Sequence, residues 1–141
     1  MKEILIISSK TNKDICDRLI HIAKYELEKN KKKYEIISVP GAFEIPAAIS
    51  FSISKNFSGY ITLGCIIRSE TPHFDYICST SISGISKMVL KHNLALGFGL
   101  ITTDDYSQAI HRSDINNSNN YALIAVNACL DMIKVKESFI C

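Results

Sequence analysis

A histidine a few residues beyond a strand, among small polar side chains, is the strongest candidate for proton chemistry in this chain. The segment is Leu63-Gly64-Cys65-Ile66-Ile67-Arg68-Ser69-Glu70-Thr71-Pro72-His73-Phe74-Asp75-Tyr76. An imidazole titrates near neutral pH and can both accept and return a proton, so His73 at such a rim suits general acid–base work. A helix starting directly after the strand would add free amides and a positive dipole end, which together favour an anion. A histidine in a loop is also an ordinary surface residue, so His73 gains weight only from its neighbours. His21 within a helix, His92 near a helix end and His111 beside Arg112 have such surface explanations.

Two other segments carry chemistry. In Val39-Pro40-Gly41-Ala42-Phe43-Glu44-Ile45-Pro46, two prolines and a glycine fix the backbone path and set Phe43 and Glu44 at a helix start. A flat apolar ring beside a fixed carboxylate suits a flat heterocycle with N–H donors; a rigid turn whose Phe plugs the core is the plainer alternative. The third segment holds Phe98, Thr102-Thr103-Asp104 and Arg112. Threonines before Asp104 read first as helix caps. Arg112 has the planar fork for a phosphate, and equally for a nearby carboxylate.

The elements that must position these residues follow from hydrophobic period. Ile4 to Ile7 is a continuous β-branched run, the pattern of a strand buried on both faces, broken by Ser8-Ser9-Lys10-Thr11-Asn12. Thr11 and Asp14 fit a capping box. Ile15, Leu19, Ile22, Ala23 and Leu27 then recur at helical spacing, predicting a helix that ends near Asn30. Tyr34 to Val39 reads as a second strand, and a helix from Phe43 through Ser54 tolerates Pro46 in its first turn. Tyr60 to Ile67 reads as a third strand, where Gly64 signals a close approach to the backbone. A loop and helix run from Arg68 to His92, a fourth strand from Leu94 to Ile101, and a short helix from Asp104 to Arg112. Asn116 to Asn120 is a polar turn; Ala122, Val126, Cys129 and Ile133 mark a last helix. Strand and helix alternate four times without a linker or repeat, which predicts a parallel sheet covered on both faces: a three-layer α/β/α sandwich. Ligands of such sheets bind beyond the carboxyl ends of the strands. Gly97-Phe98-Gly99 lacks the third glycine of a dinucleotide fingerprint and is expected to let the strand pack closely at a subunit boundary.

Composition narrows the classes. The 141 residues, 47% hydrophobic, suffice for one ordinary domain spanning 1–141 with a real core. A formal charge of +2 from scattered lysines, dense only at Lys29 and Lys31 to Lys33, gives no nucleic-acid signal. Cys16, Cys65, Cys78, Cys129 and Cys141 form an odd set without a CxxC pair, so they read as reduced thiols, mostly small core residues, with no metal site. The apolar start is too short for a signal peptide and no run reaches membrane-spanning length. A soluble cytoplasmic protein is expected.

Taken together, PGAFEIP (Pro40–Pro46), LGCIIRSETPHFDY (Leu63–Tyr76) and GFGLITTDDYSQAIHR (Gly97–Arg112) resemble the lumazine synthase family in order, spacing and position. The resemblance is strong from Val39 to Arg112 and weaker at both ends. It implies a flavodoxin-like sheet of four parallel strands, assembled as pentamers or 60-subunit shells with active sites between neighbouring subunits. The implied reaction joins 5-amino-6-(D-ribitylamino)uracil to 3,4-dihydroxy-2-butanone 4-phosphate, releasing phosphate and water, a transferase step of riboflavin biosynthesis. By the same resemblance, Ala42, Phe43 and Glu44 hold the uracil and ribityl chain with the backbone of Cys65, Ile66 and Ile67. Glu70 and Thr71 belong to the loop that binds the ketose phosphate, and His73 matches the proton carrier. Phe98 and Arg112 would come from the neighbouring subunit, one onto the heterocycle and one onto phosphate. No metal or organic cofactor is implied, and no nucleic acid or membrane partner.

Three positions depart from the family pattern. Thr11 stands where an aromatic residue usually stacks on the uracil. Asn116-Asn117-Ser118-Asn119-Asn120-Tyr121 carries no cation where a lysine is usual, and Ser69 replaces a customary glycine. The competing reading is a non-catalytic flavin- or nucleotide-binding module of flavodoxin type, with Ser8 to Asn12 as a phosphate-cradling loop. That reading leaves His73 and Pro40–Pro46 without a role.

Overall fold

The computed structural model describes residues 2–140. Four strands, β1 (Ile4–Ser9), β2 (Tyr34–Val39), β3 (Gly59–Ile67) and β4 (Leu96–Thr103), form one sheet in the order β2-β1-β3-β4. All three pairings are parallel. Five helices connect and flank them: α1 (Lys13–Lys29), α2 (Ile45–Ser52), α3 (His73–His92), α4 (Tyr106–Arg112) and α5 (Tyr121–Ser138). One-turn 3-10 helices at Ala42–Glu44 and Ile53–Lys55 bracket α2. The chain starts in the interior of the sheet, steps out to β2, then crosses back past β1 to β3 and β4. The reversal places the topological switch point at the β1–β3 crevice.

Alternation along the strands builds two separate cores. Ile4 and Ile6 pack with Ile15, Leu19, Leu27, Val126 and Cys129 on the face covered by α1 and α5. Leu5 and Ile7 point the other way, into a cluster with Ile45, Ile49 and Ile85 under α2 and α3. Period two therefore assigns each β1 side chain to a layer, and burial on both faces is what the unbroken apolar run requires. The result is the three-layer α/β/α sandwich. Among the described residues, no helix is long and apolar enough to cross a membrane.

Local differences from the sequence expectations have physical causes. β1 continues through Ser8 and Ser9, both buried, because Ser8 Oγ donates to the Ser9 carbonyl and Ser9 Oγ lies 3.6 Å from Cys16 Sγ. The Thr11–Asp14 capping box does not form. Asn12 precedes α1 in the left-handed region (φ 55, ψ 58), Thr11 turns its hydroxyl to the Pro40 carbonyl, and Asp14 accepts from the Tyr106 hydroxyl of α4. Asparagine is one of the few residues that enters this backbone region readily. β4 lies two residues later than its apolar pattern suggested, so Thr102 and Thr103 end the strand instead of capping α4. Asp105 is the cap, accepting from Gln108 N at 2.9 Å. That bond holds the Asp105 carboxyl below its ordinary range. Asn120, in the polar turn, caps α5 through Leu123 N at 2.8 Å. Cys16, Cys65 and Cys129 are buried and Cys78 half-buried, all free thiols; Cys141 lies outside the described residues.

The glycines of β4 serve packing within the chain. A Cβ on Gly97 would lie 1.7 Å from the Ala125 carbonyl oxygen, so the backbone of α5 rests directly on the strand. On Gly99 it would lie 2.8 Å from Leu63 Cδ2 and 3.1 Å from Ala125 Cβ. The close approach expected of these glycines is thus made by α5 and β3 of the same chain. Gly97→Ala is expected to force α5 off the sheet and destabilise by about 3 kcal/mol or more, at the upper end of overpacking costs. A urea midpoint within error of the parent's would contradict this account of the α5 contact.

Candidate active site

Parallel strands deliver all four exits to one edge: Lys10–Asn12, Pro40–Glu44, Arg68–Pro72 and Asp104–Asp105. The strands do not end together there. The β1–β3 ladder stops at Ser8 opposite Leu63, whereas β3 runs on beside β4 to Ile67 opposite Thr103. Cys65–Ile67 thus projects past its neighbour on the β1 side. The Cys65 carbonyl accepts from the Asn12 side-chain amide at 3.0 Å, and the Arg68 amide donates to Thr103 O at 2.9 Å on the opposite side. Strand alternation between those two bonds turns the N–H and C=O of Ile67 into the crevice. A donor and an acceptor side by side match the edge of a cyclic amide.

The second wall is the turn after β2. Ala42 is buried and anchors the turn; Phe43 is 55% exposed, and Glu44 half-buried. A Cβ on Gly41 would lie 3.3 Å from Glu44 Oε2 and 3.5 Å from Thr11 Oγ1, so carboxylate and hydroxyl converge over the glycine. Thr11 Oγ1 donates to Pro40 O at 3.1 Å, which ties the β1 exit to this wall. With Thr11 and Asn12 committed to two neighbouring carbonyls, and Ser8 and Ser9 buried within β1, this stretch does not form a phosphate cradle. Helix α3 packs against Ala42–Glu44, bringing its first turn to the same rim.

His73 is the first residue of α3 and is exposed, its amide donating to Thr71 Oγ1 at 3.4 Å. Glu70 and Thr71 lie exposed on the loop before it. Arg68, at the loop's start, donates from Nε to Asp104 Oδ1 at 2.8 Å and from Nη1 to Asp75 Oδ1 at 3.5 Å. Its guanidinium carbon stands 4.5 Å from the Phe74 ring centroid. Asp104 is the main reason the guanidinium is held above even its usual high range. Burial pushes the Cys65 thiol up to about 12.

The structure therefore brings Thr11, Ala42, Phe43, Glu44, Cys65, Ile66, Ile67, Glu70, Thr71 and His73 to one edge. Phe98 and Arg112 it does not. Phe98 pairs with Thr62, well back along β3 from Ile67, and lies 37% exposed beside Ile82, Val89 and Leu90. Arg112 ends α4, half-buried, with Nη1 donating to Gln108 O at 3.3 Å. Asn12 and Arg68 received no individual role from sequence. Asn before a helix was the available signal for the first, but the partners of the second are set only by the fold. A groove of about 590 Å³ lies between β2 and α2, lined by Leu5, Ile37, Phe51 and Phe57 among others. It meets the crevice only near Pro40 and Glu44, and its nearly apolar walls lack the paired polar backbone edge found at Ile67. Among the described residues, no three His, Cys, Asp or Glu side chains gather as a metal site.

Comparison with known proteins identifies the family of the chain. The model of a family described as 6,7-dimethyl-8-ribityllumazine synthase matches residues 1–137. A protein of Campylobacter jejuni bearing that name is 37% identical, covering 96% of this chain and 90% of its own length. One from Bartonella tribocorum is 36% identical, covering 96% and 91%. One from Desulfovibrio desulfuricans is 35% identical, covering 96% and 88%.

Burial pushes the Cys129 thiol, like Cys65, up to about 12. At pH 8 only on the order of one in ten thousand of such thiols is ionised, so brief alkylation is expected to spare both in the folded protein and, among the described residues, to mark Cys78 first. Unfolded thiols ionise near 9.0 while these two keep their protons to about 12, so unfolding releases protons in that window. Stability should therefore fall as pH rises above 9. Equal labelling of Cys65 before and after unfolding, read by mass spectrometry, would contradict its burial.

Proposed function

The chain belongs to the 6,7-dimethyl-8-ribityllumazine synthase family, and from that premise we propose how its residues carry out the reaction. It is a transferase of riboflavin biosynthesis, condensing 5-amino-6-(D-ribitylamino)uracil with 3,4-dihydroxy-2-butanone 4-phosphate. The observation that carries the assignment of the crevice is the overhang of β3, whose Ile67 N–H and C=O meet the edge of a uracil. Phe43 lies against the ring, Glu44 takes the hydroxyls of the ribityl chain, and Ala42 with Cys65 and Ile66 completes the enclosure. Thr11 borders the ring where a stacking aromatic is absent. The backbone amides of Glu70 and Thr71, near the N-terminus of α3, receive the phosphate of the ketose.

The uracil's aromatic amine attacks the ketone, and water leaves as the imine forms. Loss of a proton from the next carbon expels phosphate and leaves an enol, which becomes a ketone. The ribityl nitrogen attacks that ketone, and a second water leaves as the ring closes. His73, at the rim, moves these protons. Arg112 and the loop amides stabilise the departing anion. Holding two reactants in register accounts for much of the acceleration, a contribution worth roughly 7–11 kcal/mol in well-oriented systems.

Neither Phe98 nor Arg112 shares the crevice with His73 in one chain. That separation supports an assembly in which a neighbouring subunit supplies both, as a pentamer or a 60-subunit shell of one-domain chains (1–141) in the cytoplasm. His73→Ala is expected to lower kcat by about 100-fold, a usual contribution of a proton carrier. Arg112→Ala should raise the KM of the ketose phosphate and slow phosphate release. Unfolding and reassembling equal amounts of the two variants should regenerate up to about one quarter of parental sites, because a head-to-tail interface pairs intact halves at random. Lumazine formation unaffected by His73→Ala would remove the histidine from the mechanism. Reassembled mixtures no more active than the separate variants would remove the shared site.

A further inference from the structure

We propose that Arg68 is a positioning residue that clips the loop 69–72 closed and thereby fixes His73 at the crevice; the inference rests on the role of His73 proposed above. The loop Ser69-Glu70-Thr71-Pro72 is exposed and lies outside regular structure. Ser69 gives it none of a glycine's conformational range, so its path must be held from outside. Arg68 makes four connections across it. Its amide donates to Thr103 O at 2.9 Å and its Nε to Asp104 Oδ1 at 2.8 Å, which fastens the loop's start to the end of β4. Its Nη1 reaches Asp75 Oδ1 at 3.5 Å, and its guanidinium lies over Phe74 at 4.5 Å, which fastens the same residue to the first turn of α3. Asp75 and Phe74 directly follow His73, and Phe74 is buried. One planar cation thus joins both ends of the loop to a strand on one side and to the histidine's own helical turn on the other.

Arginine suits this place because its fork serves two carboxylates while its flat face stacks on a ring. A lysine's point charge can satisfy one carboxylate but not the whole set. The ion pairs are exposed, so they add little to global stability. Their effect is local: they narrow the range of positions open to His73 and to the amides of Glu70 and Thr71. A shift of about 1 Å in such groups can cost up to roughly 100-fold in rate.

The test combines hydrogen exchange with a kinetic cycle on the intact assembly. Arg68→Ala is expected to speed amide exchange across residues 69–74 and leave the four strands unchanged. It should lower kcat about tenfold, raise the KM of the ketose phosphate, and leave the KM of the uracil within about twofold, since that ring rests on Phe43 and β3. Arg68→Lys should recover part of the kcat, and Asp104→Asn should reproduce part of the loss. In a His73→Ala background, Arg68→Ala should cost clearly less than about tenfold, because the part of its effect that runs through His73 is already lost. Full tenfold additivity in that background, or unchanged exchange over 69–74, would overturn the clip. If the parent enzyme formed no lumazine, the assignment of the reaction would fail, while exchange would still decide whether Arg68 orders the loop.

Discussion

A β-strand that outruns its neighbour leaves peptide groups that nothing in the sheet can satisfy. Here β3 continues beside β4 to Ile67 after β1 has turned away at Ser9, and the gap opens at the switch in strand order. Buried or half-buried peptide groups demand partners, so such an overhang is a template waiting for a planar amide. Asn12 supplies one such group from the protein itself, a carboxamide placed against Cys65 O. The rest of the crevice, from the Phe43 turn to the His73 rim, is arranged around that uneven end.

Keeping the overhang in place is the task of the packing behind it. The sheet is buried on both faces, and β1 distributes its side chains alternately between two cores. The strands are therefore held in register from above and below. α5 comes so close to β4 that only glycine fits at position 97, which holds β4 against the layer beneath it. β4 in turn receives the Arg68 amide at Thr103. Distant, featureless contacts thus set the height at which the loop 69–72 begins.

Much of this was legible in the sequence. Pro40-Gly41 ended β2 at Val39 as its composition implied, because proline cannot continue a ladder; Asn120 fell in the polar turn where α5 begins. His73 and the Phe43–Glu44 pair stood out because each lies a few residues beyond a strand, next to proline-bearing backbone. Other features depended on partners far along the chain. Ser8 and Ser9 looked like a break but are strand residues, since hydroxyls bonded locally can be buried at little cost. Thr11 had the chemistry of a cap, but the Pro40 carbonyl, just past β2, offered its hydroxyl another acceptor. Arg68 was one charge among many until folding brought Asp104 beside it. The β4 glycines carried a true signal of close approach, but only the structure shows that α5 is what approaches.

Asn12 joins two demands in a single side chain: a left-handed backbone and a donor aimed at a carbonyl 3.0 Å away. Aspartate satisfies the first demand and reverses the second, setting one oxygen against another. Hydrolysis of this one amide, the ordinary chemical ageing of asparagine, would thus leave the fold's outline intact while releasing the end of β3 from the turn that holds it. In such a molecule the wear of a single nitrogen atom is recorded at the pocket before it is recorded in the core.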